Sequence, residues 1–224
     1  MAKVHAFQPP PYLADDFGSD SDMWPQLDLW MSNALKFVES GAFLCDDDKT
    51  RAAALNLPRA QSIVSELKTS LAQLPSPPSI SFCHNDLLAA NVMVAPTGNV
   101  QLIDFEYGGM NYACFDIANH FNEWAGGTDD SKPNYALLPS AEQKEAFIRN
   151  YVAAKCGAAS SSEEIEKEIQ VLKGQVSIFE VINHFYWGLW AVNQANAEGC
   201  KVFDYLNYAR ARLLQVEGMG LHKK

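Results

Sequence analysis

The sequence predicts a mainly α-helical chain interrupted by one small β-hairpin. Three observations carry this. Apolar residues recur at three-and-four spacing over most of the chain, the mark of helices with one buried face. Two short β-favouring runs, 92–95 and 100–103, flank the turn Pro-Thr-Gly-Asn, in which Gly98 is free to take positive φ. Proline clusters at 9–11 and 75–78 stop the helical stretches, because proline lacks the amide and clashes with the preceding turn.

Taken in order, residues 1–8 read as the tail of a helix and 15–22 as a Gly/Ser/Asp loop. Residues 24–38 carry Leu27, Trp30, Met31, Ala34, Leu35 and Val38 on one helical face. Asp46-Asp47-Asp48 is read as a solvated loop or helix start, and a second helix is predicted over 51–74. A short strand, 79–82, precedes the hairpin. A long helix follows Ser160-Ser161-Ser162, with Glu163 and Glu164 in its first turn complementing the dipole and Gly174 as a point of bending. A final helix is expected over about 205–214, ending before Gly218, with frayed residues beyond.

The 224 residues are 48% hydrophobic and 20% charged, the balance of a globular chain able to bury a core. Seventeen basic against 27 acidic residues give a net charge of −10, which disfavours nucleic acid and anionic membrane as partners and suits a cationic ligand. The five cysteines are scattered without a C-x-x-C pair, as in a reducing compartment. No run approaches the roughly 18 apolar residues of a membrane span, and Met1 to Phe7 does not resemble a signal peptide. A cytoplasmic location is expected.

The chemistry concentrates in 82–107. Asn91 follows Asp86 by five residues, as in the H-R-D-x-x-x-x-N loop of kinases, and Asp104 stands where kinases carry the Asp of Asp-Phe-Gly. The hairpin puts Asn91 at its entry and Asp104 at its exit, where both can ligate one metal ion. Asp86 is the candidate base, and His84 braces the loop through hydrogen bonds. Positioning is the main demand of phosphoryl transfer, so Asp86 needs no raised pKa. On an extended segment Glu106 shares a face with Asp104. It either supports the metal or is an ordinary solvated carboxylate. Asp116 is read as pinning backbone amides of the loop. Trp187 and Trp190, at i and i+3 around Gly188, are either helix core or, with the carboxylate of Glu123, a cation–π site for a small ammonium ion.

His84-Asn85-Asp86-Leu87-Leu88-Ala89-Ala90-Asn91, Leu102-Ile103-Asp104-Phe105-Glu106-Tyr107 and Phe115-Asp116-Ile117-Ala118-Asn119-His120-Phe121-Asn122-Glu123-Trp124 resemble the choline/ethanolamine kinase family. So do His184-Phe185-Tyr186-Trp187-Gly188-Leu189-Trp190 and residues 203–212. The resemblance implies a protein-kinase-like (α+β) fold and Mg²⁺-dependent transfer of the ATP γ-phosphoryl group to a small amino alcohol in phospholipid biosynthesis. It implies Asp86 as base, with Asn91 and Asp104 as Mg²⁺ ligands. Glu123, Tyr107, Trp187, Trp190, Phe203 and Tyr208 form the implied amino-alcohol pocket. Leu87-Leu88 and residues 122–126 resemble ethanolamine kinases more than choline kinases.

One departure stands out. No Gly-rich loop followed by a strand Lys occurs in the 224 residues, so the family's N-terminal nucleotide lobe has no counterpart in them. The expectation is therefore a single domain, 1–224, equivalent to the kinase C-terminal lobe. Within it, 1–78 is a helical connection, 79–126 the catalytic loop, hairpin and metal site, and 127–224 the C-terminal helices with the substrate pocket. Such a chain is expected to be inactive alone. A choline kinase and a non-catalytic form binding amino alcohols or a partner subunit are the alternatives. A homodimer is left open, since a lobe without its partner exposes apolar surface.

Overall fold

A computed structural model of the chain describes residues 1–13, 18, 20–43, 45–157 and 160–221. It divides into two compact units: Met1–Asp22 with Leu74–Trp124 and Leu137–Glu180, and Met23–Gln73 with Ala125–Ala136 and Val181–Lys224. The first unit begins with the short helix α1 (Ala2–His5), followed by a 3₁₀ turn at Pro11–Leu13. The loop expected over 15–22 and the fraying expected at the last residues fall partly outside the described residues.

Strand β1 (Ile80–Cys83) pairs antiparallel with β4 (Gly109–Tyr112), in the register Ile80 to Tyr112 and Cys83 to Gly109. Strands β2 (Val92–Val94) and β3 (Val100–Leu102) form the expected hairpin, with Val92 opposite Leu102 and Val94 opposite Val100. Strand β1 answers to the short strand expected over 79–82, but its partner β4 was not legible. Gly-Met-Asn-Tyr has little β preference of its own, and pairing with β1 overrides that deficit.

Helix α5 (Ala113–Asn122) follows β4 directly and packs on β1 and β4, with Phe115, Ile117, Ala118 and Phe121 in the core. Helix α1 packs on β1 and on α6 (Ala141–Cys156). The hydrophobic period did not pick out α6, although its start carries a capping box. The Gln143 amide donates to Ser140 Oγ at 3.3 Å, and the Ser140 amide donates to the Gln143 side chain at 2.8 Å. Helix α7 (Ser162–Glu198) starts after a second such box at Ser161 and Glu164 and runs unbroken through Gly174. Its residues up to Glu180 belong to the first unit.

In the second unit, α2 (Met23–Ser40) buries Met23, Leu27, Met31, Ala34 and Phe37. The expected stripe thus shifts by a fraction of a turn, and Leu35 is exposed. The helix expected over 51–74 is two helices, α3 (Asp46–Ala53) and α4 (Leu57–Ala72). Asn56 breaks them at φ 50°, and Pro58 opens the next helix because an interior proline would cost a hydrogen bond. Asp46, Asp47 and Asp48 form the first turn of α3, where their charges meet the helix dipole. The last helix, α8 (Tyr205–Leu221), continues through Gly218 instead of ending before it. An interior Gly costs only about 1 kcal/mol there, and packing of α8 against α3 and α4 outweighs it.

Gly188 lies against α8. A Cβ there would lie 3.0 Å from both Cγ and Cδ2 of Leu213. Gly188→Val is therefore expected to lower stability by about 1–3 kcal/mol through overpacking. Urea unfolding checks it, and an unchanged midpoint would show that the helices can part at no cost.

Candidate active site

Strand β1 ends at Cys83 and delivers His84, fully buried, to the loop. His84 Nε2 lies 2.8 Å from the carbonyl oxygen of Ile103, and the Asp86 amide donates to Nδ1 at 3.4 Å. Both contacts are met by the single neutral tautomer with hydrogen on Nε2. One ring thus ties the loop to the exit of the hairpin, and it also packs on Phe105 at 4.5 Å.

Asn85 sits at φ 67°, a left-handed conformation that Asn tolerates better than most residues. Its amide nitrogen donates to the Tyr107 carbonyl at 2.9 Å, and its oxygen accepts from Asn111 Nδ2 at 2.8 Å. Asn111 in turn accepts from Ser21 Oγ and from the Tyr112 amide, each at 2.8 Å. Sequence reasoning missed this amide ladder. The signal was a turn-favouring Asn between two functional residues.

Asp116 accepts two backbone amides of the same loop. Its Oδ2 accepts from the His84 amide at 3.0 Å, and its Oδ1 accepts from the Asn85 amide at 2.8 Å. His5 Nε2 lies 3.0 Å from Oδ2. Burial pushes the Asp116 carboxyl up, but His5 and the two amides outweigh it and hold the group below its ordinary value.

Asp86 is half-buried. Asn91 Nδ2 donates to its carbonyl at 2.8 Å and approaches its Oδ2 at 3.3 Å. Its pKa is raised to about 6, by burial first and then by the charge of Glu123, with Asp104 adding to it against His84 and Asn91. The low pKa allowed by the sequence reading is thus not what the surroundings produce. The same influence places Glu123 electrostatically beside Asp86. Glu123 is buried where α5 ends.

Asn91 and Asp104 suit Mg²⁺ by donor chemistry. The amide nitrogen of Asn91 is engaged by Asp86, which leaves Oδ1 as its ligand end, and the Asp104 carboxylate is exposed. Asp104 adopts φ 63°, and Glu106 and Tyr107 form a turn. The extended backbone assumed for Glu106 does not exist, so its shared face with Asp104 is lost. Among the described residues, Asp86, Asp104 and Glu106 do not group as three convergent carboxylates. The one group of three His, Cys, Asp or Glu ligand atoms that converge among the described residues is His5, Cys83 and Asp116.

In the second unit Trp187 is buried and meets Trp190 edge-on at 5.5 Å. Trp190 meets Tyr205 at 5.7 Å, and Phe203 lies 4.9 Å from Tyr205 and 5.8 Å from Tyr208. Four of the five aromatic residues singled out from sequence therefore join one cluster, with Tyr205, which was missed, at its middle, while the fifth, Tyr107, belongs to the first unit. Tyr208 is held by Arg212, whose Nε donates to its hydroxyl at 3.0 Å.

This mainly helical fold with a braced Asp–Asn loop is protein-kinase-like, and solved structures agree. An ethanolamine kinase of Plasmodium vivax matches with a TM-score of 0.75 at 24% identity, over 96% of this chain and 56% of that one. A choline kinase of Cryptosporidium parvum gives 0.73 at 23%, over 99% and 62%. The chain belongs to the choline/ethanolamine kinase family, whose profile matches residues 1–217. Human ethanolamine kinase 1 is 35% identical over 220 residues, 96% of this chain and 45% of the relative. Rat choline/ethanolamine kinase is 37% identical over 180 residues, 75% and 45% respectively. The chain spans about half the length of these curated relatives.

Because Asp116 is depressed in the folded state, the unfolded chain binds its proton more readily. The stabilisation is present above about pH 4 and lost as pH falls through the folded value. Asp116→Asn should lower stability at pH 7 by about 3 kcal/mol, with the gap to wild type narrowing below about pH 4. Unfolding at a series of pH values decides, and a gap independent of pH would contradict the charge argument.

Proposed function

We propose that this chain is the catalytic-loop and substrate-binding part of an ATP- and Mg²⁺-dependent ethanolamine kinase acting in phospholipid biosynthesis in the cytoplasm. The observation that carries the reading is Asp86. It is held by Asn91, braced through His84 and raised toward neutrality beside Glu123. A carboxyl poised near the working pH can accept the proton of an attacking hydroxyl and hold that oxygen in line. Asn91 Oδ1 and the Asp104 carboxylate would hold Mg²⁺, with Glu106 as a supporting carboxylate. The ion would supply charge neutralisation for the phosphates.

The amino group of the substrate falls to Glu123 by charge and to Trp187, Trp190, Phe203 and Tyr208 by cation–π attraction, with Tyr107 as a further wall. Family resemblance alone draws these residues of the two units into one task. Ethanolamine is preferred because Leu87-Leu88 and residues 122–126 resemble ethanolamine kinases, and because relatives such as the human protein carry that name. Choline is the second substrate reading, favoured by relatives named for both. The 224 residues carry no Gly-rich loop with a strand Lys. As a polypeptide they should therefore hold ATP poorly and turn over little, alone or as a homodimer.

The purified chain with ATP, Mg²⁺ and ethanolamine is expected to release no ADP above background, yet ethanolamine should alter its tryptophan fluorescence, and Trp187→Ala should abolish that change. Fused to a nucleotide lobe of the family, it should become active, with Asp86→Asn lowering kcat by about 10²–10⁴-fold. Normal turnover by the unfused chain would refute the incomplete-site reading. Absence of an ethanolamine response, or a stronger one to choline, would refute the substrate assignment.

A further inference from the structure

His5 was not among the residues that the motifs singled out. It lies 111 residues from Asp116, on α1, yet its ring is enclosed, with the side chain 4% exposed against 1% for Asp116. Its two nitrogens are both engaged. Nε2 is 3.0 Å from Asp116 Oδ2, and Nδ1 is 2.8 Å from the hydroxyl of Tyr151 on α6. The rings of His5 and Tyr151 also meet edge-on at 5.5 Å. Helix α1 packs against both β1, which leads into the loop, and α6, which carries Tyr151.

The end of an aspartate side chain turns in a broad, roughly two-fold well, so its rotamer alone does not decide which oxygen faces which donor. In Asp116 the two oxygens have distinct tasks. Oδ1 receives the Asn85 amide, and Oδ2 receives the His84 amide and His5 together. The backbone at Asn85 is left-handed, so the loop depends on these bonds to stay turned. We propose that His5, itself held by Tyr151, is a positioning residue that locks the orientation of Asp116 and thereby the path of the loop bearing Asp86. The proposal rests on the kinase reading only for the catalytic meaning of that loop. The lock itself is a matter of hydrogen bonds.

Cys83 lies in the same cluster, with its ligand atom within 4.8 Å of those of His5 and Asp116. A metal centre would require its thiolate. Burial instead keeps the thiol protonated, and its Sγ donates to the Asn111 carbonyl at 3.5 Å. The hydrogen-bonded lock therefore accounts for the cluster better than a metal does.

Site-resolved amide exchange on the 224-residue protein tests the lock without reading turnover, so its result is independent of the substrate assays. His5→Leu should speed exchange of the His84 and Asn85 amides by roughly tenfold or more, leaving amides of α4 and α8 unchanged. His5→Gln keeps a donor for Asp116 and an acceptor for Tyr151, and should restore protection. Tyr151→Phe should give a smaller local increase, and it decides the matter should His5→Leu not fold. Unchanged exchange at both amides in Tyr151→Phe, or equal behaviour of His5→Leu and His5→Gln, overturns the proposal. So does stoichiometric zinc in the purified protein that Cys83→Ser removes.

Discussion

Burying a carboxylate costs several kcal/mol unless its charge is met by donors inside the fold. Asp116 is 1% exposed and is met by three of them. That arrangement is what lets a polar loop sit against the core at all. The amides of His84 and Asn85 would otherwise be buried without acceptors as the chain leaves β1. From this anchor the rest follows outward. His84 reaches the exit of the hairpin, Asn85 reaches Tyr107 and Asn111, and Asp86 is left half-exposed with its carbonyl tied to Asn91.

The electrostatics of the loop run the opposite way from those of its anchor. Asp116 faces donors and is depressed, whereas Asp86 faces Glu123 and Asp104 and is raised. Two carboxylates thirty residues apart in sequence are thus sorted by surroundings into a structural ion and a group that exchanges protons near neutrality. Concentrated negative charge around Asp86 also suits cationic species at the site, in keeping with the acidic balance of the whole chain.

What could be read from sequence was whatever depended on local spacing. Asp86 and Asn91 lie on one short loop, and hairpin and helices follow from turn residues and period. Trp187 and Trp190 share a helix face. Much of what escaped depended on distant partners. Strand β4 exists because β1 lies beside it, and α8 passes Gly218 because α3 and α4 pack against it. His5 matters because folding brings it to Asp116. Glu106 shows a different limit. Alternation along an extended segment was a sound rule applied to a segment that turns, since Asp104 is left-handed. Pro58 was in plain view, yet the helix expected over 51–74 parts at the left-handed Asn56, and Pro58 lies in the first turn of its second half.

The hairpin carries a consequence of its own. Met93, Val94 and Val100 are each more than half exposed, an apolar surface on a two-stranded ribbon. Long apolar edges recruit foreign strands and seed aggregates, and proteins often guard them with charge. Here the guard is brevity. With three residues to a strand, β2 and β3 offer too few backbone groups to template a partner. This surface can stay greasy without becoming a nucleus for fibres.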